Sequence, residues 1–168
     1  MKVVIAGGGT GGHLYPGIAI ARELLRDRDN EVLFVGTEQG IEAKVLPKEG
    51  LPVRFITVGK LKGMKLLSKI KTMLTLPLGL VQSWSLLRAV RPDVVIGIGG
   101  YSSGPIGMAA YGLHIPLIIV EPNSHAGLAN RKPSEYSSWH ETNPFSPLVF
   151  AVQCASVTCQ AGKLEQPM

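Results

Sequence analysis

Residues 2–17 read KVVIAGGGTGGHLYPG, and this stretch decides the fold. Its first five residues form an apolar, β-branched run that predicts a buried strand. Five glycines and one threonine then occupy positions 7–12. Glycine weakens both helices and strands, so this density indicates a backbone that must pass close to another group, and phosphate is a common partner of such loops.

Strand-like and helix-like segments alternate through the rest of the chain. This alternation predicts an α/β fold with a parallel sheet that is covered by helices on both faces. Pro16 is expected in the first turn of the first helix, where proline is tolerated. The predicted strands are 2–6, 31–36, 53–58, 93–99 and 116–120, and the predicted helices are 14–28, 38–48, 66–89 (with Pro77 and Gly79 as candidate break points) and 103–113.

Three polar, glycine-containing clusters follow three of these strands. They are GGGTGGH (7–13), GIGGYSSGP (97–105) and EPNSHAG (121–127). Ligands of open parallel sheets bind at the carboxyl ends of the strands, so we expect the three clusters to face one crevice.

The glycine loop by itself leaves several functions open. Gly7, Gly9 and Gly12 satisfy the dinucleotide-binding pattern G-x-G-x-x-G, but the acidic residue expected at the end of the second strand is missing there and Glu38 comes late. A P-loop would require Lys-Ser/Thr where the chain has His13-Leu14. A tight turn without a ligand needs one or two glycines rather than five.

The sequence allows two interpretations of His13. It either caps the helix or fills a packing gap, or it acts as a general base. At the start of a helix the dipole favours an uncharged imidazole, which is the form that a base requires.

The net charge of +5 is concentrated in one segment. Residues 60–91 carry seven basic side chains and no acidic one, interleaved with leucines, Met73 and Trp84. This is either a solvated helix face or a peripheral attachment site for an anionic membrane surface, and we favour the latter. Nucleic-acid binding is not favoured because Trp84 is the only aromatic residue there and no recognition module is present. The membrane patch is defined as Lys62, Lys65, Leu66, Lys69, Ile70, Lys71, Met73, Leu74 and Trp84.

The order of three motifs carries a resemblance. GGGTGGHLYPGIAIA is followed by GIGGYSSGP about ninety residues later and then by EPN and AGLANR. Together these motifs resemble the N-terminal half of the MurG family of bacterial cell-wall glycosyltransferases, over residues 1–131. The resemblance implies the GT-B architecture, in which two Rossmann-like domains face each other across a cleft.

The resemblance also implies an activity: inverting, metal-independent transfer of N-acetylglucosamine from UDP-N-acetylglucosamine to the C4 hydroxyl of a polyprenyl-linked muramyl-pentapeptide acceptor. No cofactor is implied, and the location would be peripheral, on the cytoplasmic face of the bacterial inner membrane. His13 matches the family's position for the base. The matching substrate-binding positions are Thr10, Gly11 and Gly12 in the first loop, Gly99, Gly100, Tyr101 and Ser102 in the second, and Glu121 and Asn123 in the third cluster.

The chain is expected to divide into an incomplete acceptor-binding domain, residues 1–131, and a tail, residues 132–168. The tail is rich in Pro and Ser, is expected to be poorly ordered, and has one strand-like run, PLVFAV (147–152). The family's second half supplies most of the donor pocket, so residues 1–168 alone are expected to be inactive or nearly so. Two alternatives stay open: a non-catalytic module or half of a split transferase that binds lipid pyrophosphates, and a fragment of a nicotinamide-dependent oxidoreductase.

Overall fold

The structure is a computed structural model that describes the backbone of residues 1–58, 66–121 and 149–153, and the side chains of residues 1–58 and 77–120. Six parallel strands form one sheet in the order β3-β2-β1-β4-β5-β6. The strands are β1 (Lys2–Gly7), β2 (Glu31–Gly36), β3 (Val53–Phe55), β4 (Val94–Gly99), β5 (Leu117–Glu121) and β6 (Val149–Gln153). The helices are α1 (Gly11–Leu24), α2 (Glu42–Val45), α3 (Leu66–Val90) and α4 (Ser103–Gly112).

The sheet is covered on both faces, as the sequence predicts. Val3 and Ile5 of β1 point to one face, where they pack with Leu14 and Ile18 of α1. The alternate residues of the same strand, such as Val4, point to the other face and pack with residues of α3 and α4. Residues 3–7 of β1 are therefore all buried, which explains why this strand is a nearly continuous apolar run in the sequence.

The strand order contains a topological switch between β1 and β4. The chain runs outward from β1 to β3 in one direction, then returns to β4 and runs outward in the other. Connections therefore leave β1 and β4 toward opposite sides and open a crevice at their carboxyl ends, which is where ligands bind in such sheets. The pairing register shifts at this point, between Ala6 and Gly7, so that Gly7 lies beside Gly99.

Helix α1 begins three residues earlier than predicted. Thr10 is its N-cap residue, and the carbonyl of Thr10 accepts hydrogen bonds from the N–H groups of His13 and Leu14. Gly11 and Gly12 are poor helix formers, so helix propensity predicts a later start. The packing of α1 against the sheet outweighs the low propensity of these two glycines. Pro16 consequently lies in the second turn rather than the first, and it cannot donate to the carbonyl of Gly12.

Helix α3 is continuous through Pro77 and Gly79, so the break considered at these residues is absent. Gly79 is buried against the chain that follows β3: a Cβ at Gly79 would lie 2.7 Å from the carbonyl oxygen of Thr57. This glycine permits close packing instead of ending the helix. Helix α2 is much shorter than its predicted range of 38–48 and β3 is shorter than 53–58, whereas the other predicted elements match within a few residues.

The strand predicted in PLVFAV is confirmed as β6, which pairs with β5 from Leu117–Val149 to Glu121–Gln153. It comes from the segment assigned to the tail, and the rest of residues 132–168 lies outside the described residues. No helix within the described ranges is both long and apolar enough to cross a bilayer.

Candidate functional site

The first two glycine clusters meet at the carboxyl ends of β1 and β4. A Cβ at Gly100 would overlap the carbonyl oxygen of Gly8, and Gly100 has a φ of +89°, which L side chains rarely adopt. On the other side of this contact, the ring of Tyr101 lies 3.4 Å from where a Cβ of Gly9 would be. The predicted shared crevice is therefore confirmed for these two clusters.

This contact brings the N-termini of α1 and α4 to the same edge of the sheet. The first N–H groups of a helix have no acceptor within that helix, which applies to Gly11 and Gly12 in α1 and to Ser103 and Gly104 in α4. These groups and the positive ends of the two helix dipoles form an environment that favours an anion.

Not every N–H group of the glycine loops is available to a ligand. The N–H of Gly9 donates to Oε2 of Glu42 at 2.7 Å, and the N–H of Gly99 donates to Oγ of Ser103 at 3.0 Å. The sequence reasoning assigned loop N–H groups to phosphate in general. The geometry removes Gly9 and Gly99 from that assignment.

Two buried polar side chains that the sequence reasoning missed hold the loops. Oγ of Ser103 lies 2.7 Å from the carbonyl oxygen of Ala6 and 2.8 Å from that of Gly99, so it joins the ends of β1 and β4. The carboxylate of Glu42 joins the β1–α1 loop to the β2–α2 loop. The nearby Gly36 and Gly40 were a signal for Glu42 in the sequence, but the dinucleotide-binding pattern pointed to Glu38 instead.

His13 lies in the first turn of α1 and is half-buried. Its Nδ1 is 2.9 Å from Oγ1 of Thr10. A threonine hydroxyl can donate or accept, so this contact suits either imidazole tautomer. In the tautomer whose Nδ1–H donates to Thr10, the lone pair of Nε2 is free to accept a proton, as a base requires. The structure thus brings Thr10 and His13 together as neighbours of the helix-start N–H groups.

A cleft of about 250 Å³ opens beside the first loop, on the β2 and β3 side. Gly9, Thr10 and Tyr101 form one wall, and the segments after β2 and β3 form the other. The second wall includes residues that the sequence did not predict: Phe55, Thr57 and Gln39. The contribution of Phe55 and Thr57 depends on the position of β3 in the sheet.

The remaining predicted site residues are placed less completely. Ser102 is the N-cap residue of α4 and is 1% exposed, and its hydroxyl has no hydrogen-bond partner within the described part of the chain. Glu121 ends β5 beside β4, with its side chain outside the described residues, and Asn123 lies outside them altogether. Among residues with described side chains, no group of three or more His, Cys, Asp or Glu could hold a metal ion.

Of the membrane patch, Lys62 and Lys65 lie outside the described residues, and Trp84 is the only member whose side chain is described. Its indole is half-buried, belongs to the core beside α3 and α4, and packs on Gly112. Trp84 therefore has a structural role in joining these helices. The side chains of the other members, Leu66, Lys69, Ile70, Lys71, Met73 and Leu74, lie outside the described residues, and their backbone is part of α3.

Comparison with known proteins places the chain in a family. The model of the glycosyltransferase family 28 N-terminal domain matches residues 3–138. The chain belongs to glycosyltransferase family 28. It is 53% identical over 132 residues to the UDP-N-acetylglucosamine–N-acetylmuramyl-(pentapeptide) pyrophosphoryl-undecaprenol N-acetylglucosamine transferase of Myxococcus xanthus, and 54% identical over 132 residues to that of Syntrophus aciditrophicus. Each match covers 78% of this chain but only 34% and 37% of the relative, so the chain spans about a third of the length of these relatives.

Solved structures agree on the fold of this family 28 domain. MurG of Acinetobacter baumannii superposes with a TM-score of 0.69 at 26% identity, covering 95% of this chain and 43% of that one. The glycosyltransferase SnogD of Streptomyces nogalater reaches 0.56 at 17% identity (91% and 45%), and the UDP-GlcNAc 2-epimerase of Neisseria meningitidis reaches 0.57 at 17% identity (90% and 46%). Because an epimerase shares it, the fold does not by itself define the reaction.

The role of a base, which needs a free lone pair on Nε2 while Nδ1 faces Thr10, predicts the tautomer of His13. In the wild-type chain we expect neutral His13 to carry its proton on Nδ1, and Thr10→Val, which removes the acceptor, should weaken that preference about fivefold. Thr10→Ser keeps the hydroxyl and should restore it. Two-bond ¹H–¹⁵N spectra of the imidazole, assigned with His13→Gln, report the tautomer directly. A wild-type His13 with an unprotonated Nδ1 would contradict this assignment.

Proposed function

We propose that this chain is the acceptor-binding part of an N-acetylglucosaminyltransferase of bacterial peptidoglycan synthesis. The donor would be UDP-N-acetylglucosamine and the acceptor a polyprenyl-pyrophosphoryl-muramyl-pentapeptide. The observation that carries the proposal is the meeting of two helix N-termini beside the Thr10–His13 pair, in a chain about 50% identical to transferases named for these substrates.

The pyrophosphate of the acceptor fits the paired helix starts. It carries negative charge on two neighbouring phosphates, and the N–H groups of Gly11 and Gly12 lie on one helix start while those of Ser103 and Gly104 lie on the other. Two helix N-termini stabilise an anion more than one, because their dipoles add. Gly100 lets the two turns come this close, because a Cβ there would overlap the carbonyl oxygen of Gly8.

His13 is proposed as the base. The C4 oxygen of the muramyl residue attacks C1 of N-acetylglucosamine, the bond from C1 to the UDP oxygen breaks with its electron pair leaving on UDP, and the hydroxyl proton passes to Nε2 of His13. One displacement of this kind inverts the configuration at C1. Thr10 holds the imidazole through Nδ1, which orients Nε2 for the transfer.

The donor nucleotide is proposed to bind mainly to a second domain. The cleft of this chain supplies one wall of the reaction site, and transfer requires that both substrates be held together and that water be kept out. We therefore expect the described domain to bind the acceptor without turning over the donor efficiently.

A transfer assay tests this function. Radiolabelled UDP-N-acetylglucosamine and a short-chain lipid-linked muramyl-pentapeptide are incubated with the chain alone, and then with a separately supplied family donor domain. We expect transfer only in the second case, and His13→Ala should reduce that turnover about 10²–10⁴-fold, because a positioned base contributes this much.

The outcomes separate the candidate functions. If His13→Ala combined with the donor domain turns over within a few-fold of the wild-type combination, His13 is not the base. Binding of the acceptor without transfer under any condition would favour the second candidate, a lipid-pyrophosphate-binding module. That candidate is favoured by one observation: the two glycine loops are fully formed within this chain, without a second domain.

We also propose that α3 attaches this domain peripherally to the cytoplasmic face of the inner membrane. Leu78 and Val81 are three residues apart on this helix and are 47% and 62% exposed. Leu74, one turn before Leu78, continues the apolar spacing in the sequence, and lysines precede it. Apolar residues with flanking basic ones suit an anionic surface, where the acceptor's lipid tail resides.

Charge reversal tests the attachment. We expect the triple variant Lys62→Glu, Lys65→Glu and Lys69→Glu to bind phosphatidylglycerol vesicles with an affinity reduced by well over a hundredfold, as measured by sedimentation. Each basic residue near an anionic surface contributes about 1 kcal/mol to binding. The matched control changes Arg28, Lys44 and Lys48 to Glu. These residues are exposed but lie outside α3, so this variant should retain most of the binding. An equal loss of vesicle binding in both variants would indicate that net charge alone drives binding. Unaltered sedimentation of the triple variant in α3 and the segment before it would indicate that this helix has a solvated face and does not attach to the membrane.

A further inference from the structure

Glu42 is a buried carboxylate beside the proposed site. It is the first residue of α2 and is 1% exposed. Its Oε1 accepts hydrogen bonds from the N–H of Thr37 at 2.8 Å and from the hydroxyl of Thr37 at 3.0 Å, while its Oε2 accepts from the N–H of Gly9 at 2.7 Å. Hydrogen bonds to a carboxylate are roughly twice as strong as those between neutral groups.

The backbone around Glu42 is built to enclose this side chain. A Cβ at Gly8, Gly36 or Gly40 would overlap atoms of the Glu42 side chain. These three glycines, from two separate loops, therefore make room for a protein carboxylate and not for a ligand. This explains part of the glycine enrichment that opens the chain.

The bond to Gly9 fixes the residue that precedes the Thr10–His13 pair. Gly9 has a φ of +80°, and its N–H is held by Glu42. Thr10 follows directly as the N-cap residue of α1, and its hydroxyl contacts Nδ1 of His13. A shift of Gly9 would therefore move the cap, the helix-start N–H groups and the imidazole contact together.

Glu42 does not reach the imidazole itself; its contacts are with Gly9 and Thr37, which line the cleft. We propose that Glu42 is a positioning residue for the transfer reaction, which acts through Gly9 to set the geometry of Thr10 and His13. This inference rests on the proposed function only for its consequence in catalysis. The positioning itself is a property of this chain.

Glu42→Gln is the most informative variant, because glutamine keeps the shape of the glutamate side chain and removes its charge. Thr37 donates two hydrogen bonds and Gly9 one, so the amide keeps more bonds when its oxygen faces Thr37. Its NH₂ group then faces the N–H of Gly9, and that bond is lost. Glu31→Gln is the matched control: Glu31 is an exposed carboxylate whose ion pair with Lys2, at 3.5 Å, contributes little to stability.

The test uses the ¹⁵N-labelled chain of 168 residues, with three readouts. In Glu42→Gln we expect the amide of Gly9 to exchange with solvent about tenfold faster, and the His13 tautomer preference to fall to that of Thr10→Val. The amides of Val4 and Ile5 in β1 should exchange as in the wild type, because the sheet does not depend on this carboxylate. Glu31→Gln should change none of the three.

A His13 tautomer ratio in Glu42→Gln that equals the wild type, in a chain with an intact sheet, would overturn the proposal. If Glu42→Gln does not fold, Thr37→Val carries the test: it removes one of three bonds to the carboxylate, and a smaller change in the same direction at His13 is expected. An unchanged His13 in Thr37→Val would then reject the positioning role. These spectra need no transfer activity, so a failed transfer assay would reject the proposed function and leave this result standing.

Discussion

The close approach of Gly8 and Gly100 is the contact on which the rest of the site depends. The two backbones pass each other with no space for a side chain, at the point where the strand order reverses between β1 and β4. Because α1 and α4 start just after these turns, their first N–H groups end at one edge of the sheet. A larger residue at position 100 would separate the turns and, with them, the two positive helix ends.

Close backbone contact alone does not fix two loops, and the chain adds buried polar groups that do. Ser103 joins the end of β1 to the start of α4, and Glu42 joins the β1–α1 loop to the β2–α2 loop. Both side chains are almost fully buried, so their hydrogen bonds are shielded from water and are costly to break. Protein groups thus hold the two loops, while the first N–H groups of α1 and α4 have no acceptor within their own helices.

Most of the fold could be predicted from the sequence because its signals are local. β1, β2 and β4 are apolar runs that end at glycine, and the helices between them follow from apolar spacing. The start of α1 could not be predicted, since Gly11 and Gly12 oppose a helix and only packing on the sheet overrides them. The continuity of α3 at Gly79 likewise depends on contact with Thr57, which lies 22 residues earlier in the chain.

The candidate site was predictable in part for the same reason. Thr10, His13 and the two glycine turns lie in motifs whose composition indicates close approach to an anion. Glu42 and Ser103 were missed because their roles come from partners in other loops, which no local pattern reveals. The wall of the cleft formed by Phe55 and Thr57 required knowledge that β3 is placed beside β2.

The measurement that tests the central claim most directly is an amide titration of the ¹⁵N-labelled chain with inorganic pyrophosphate, which stands for the acceptor's diphosphate. The account predicts saturable shifts of the amides of Gly11, Gly12, Ser103 and Gly104, with much smaller shifts for Gly9 and Gly99, whose N–H groups are already bonded within the protein. Shifts confined to the lysine-rich segment before α3, or none at the two helix starts, would contradict it.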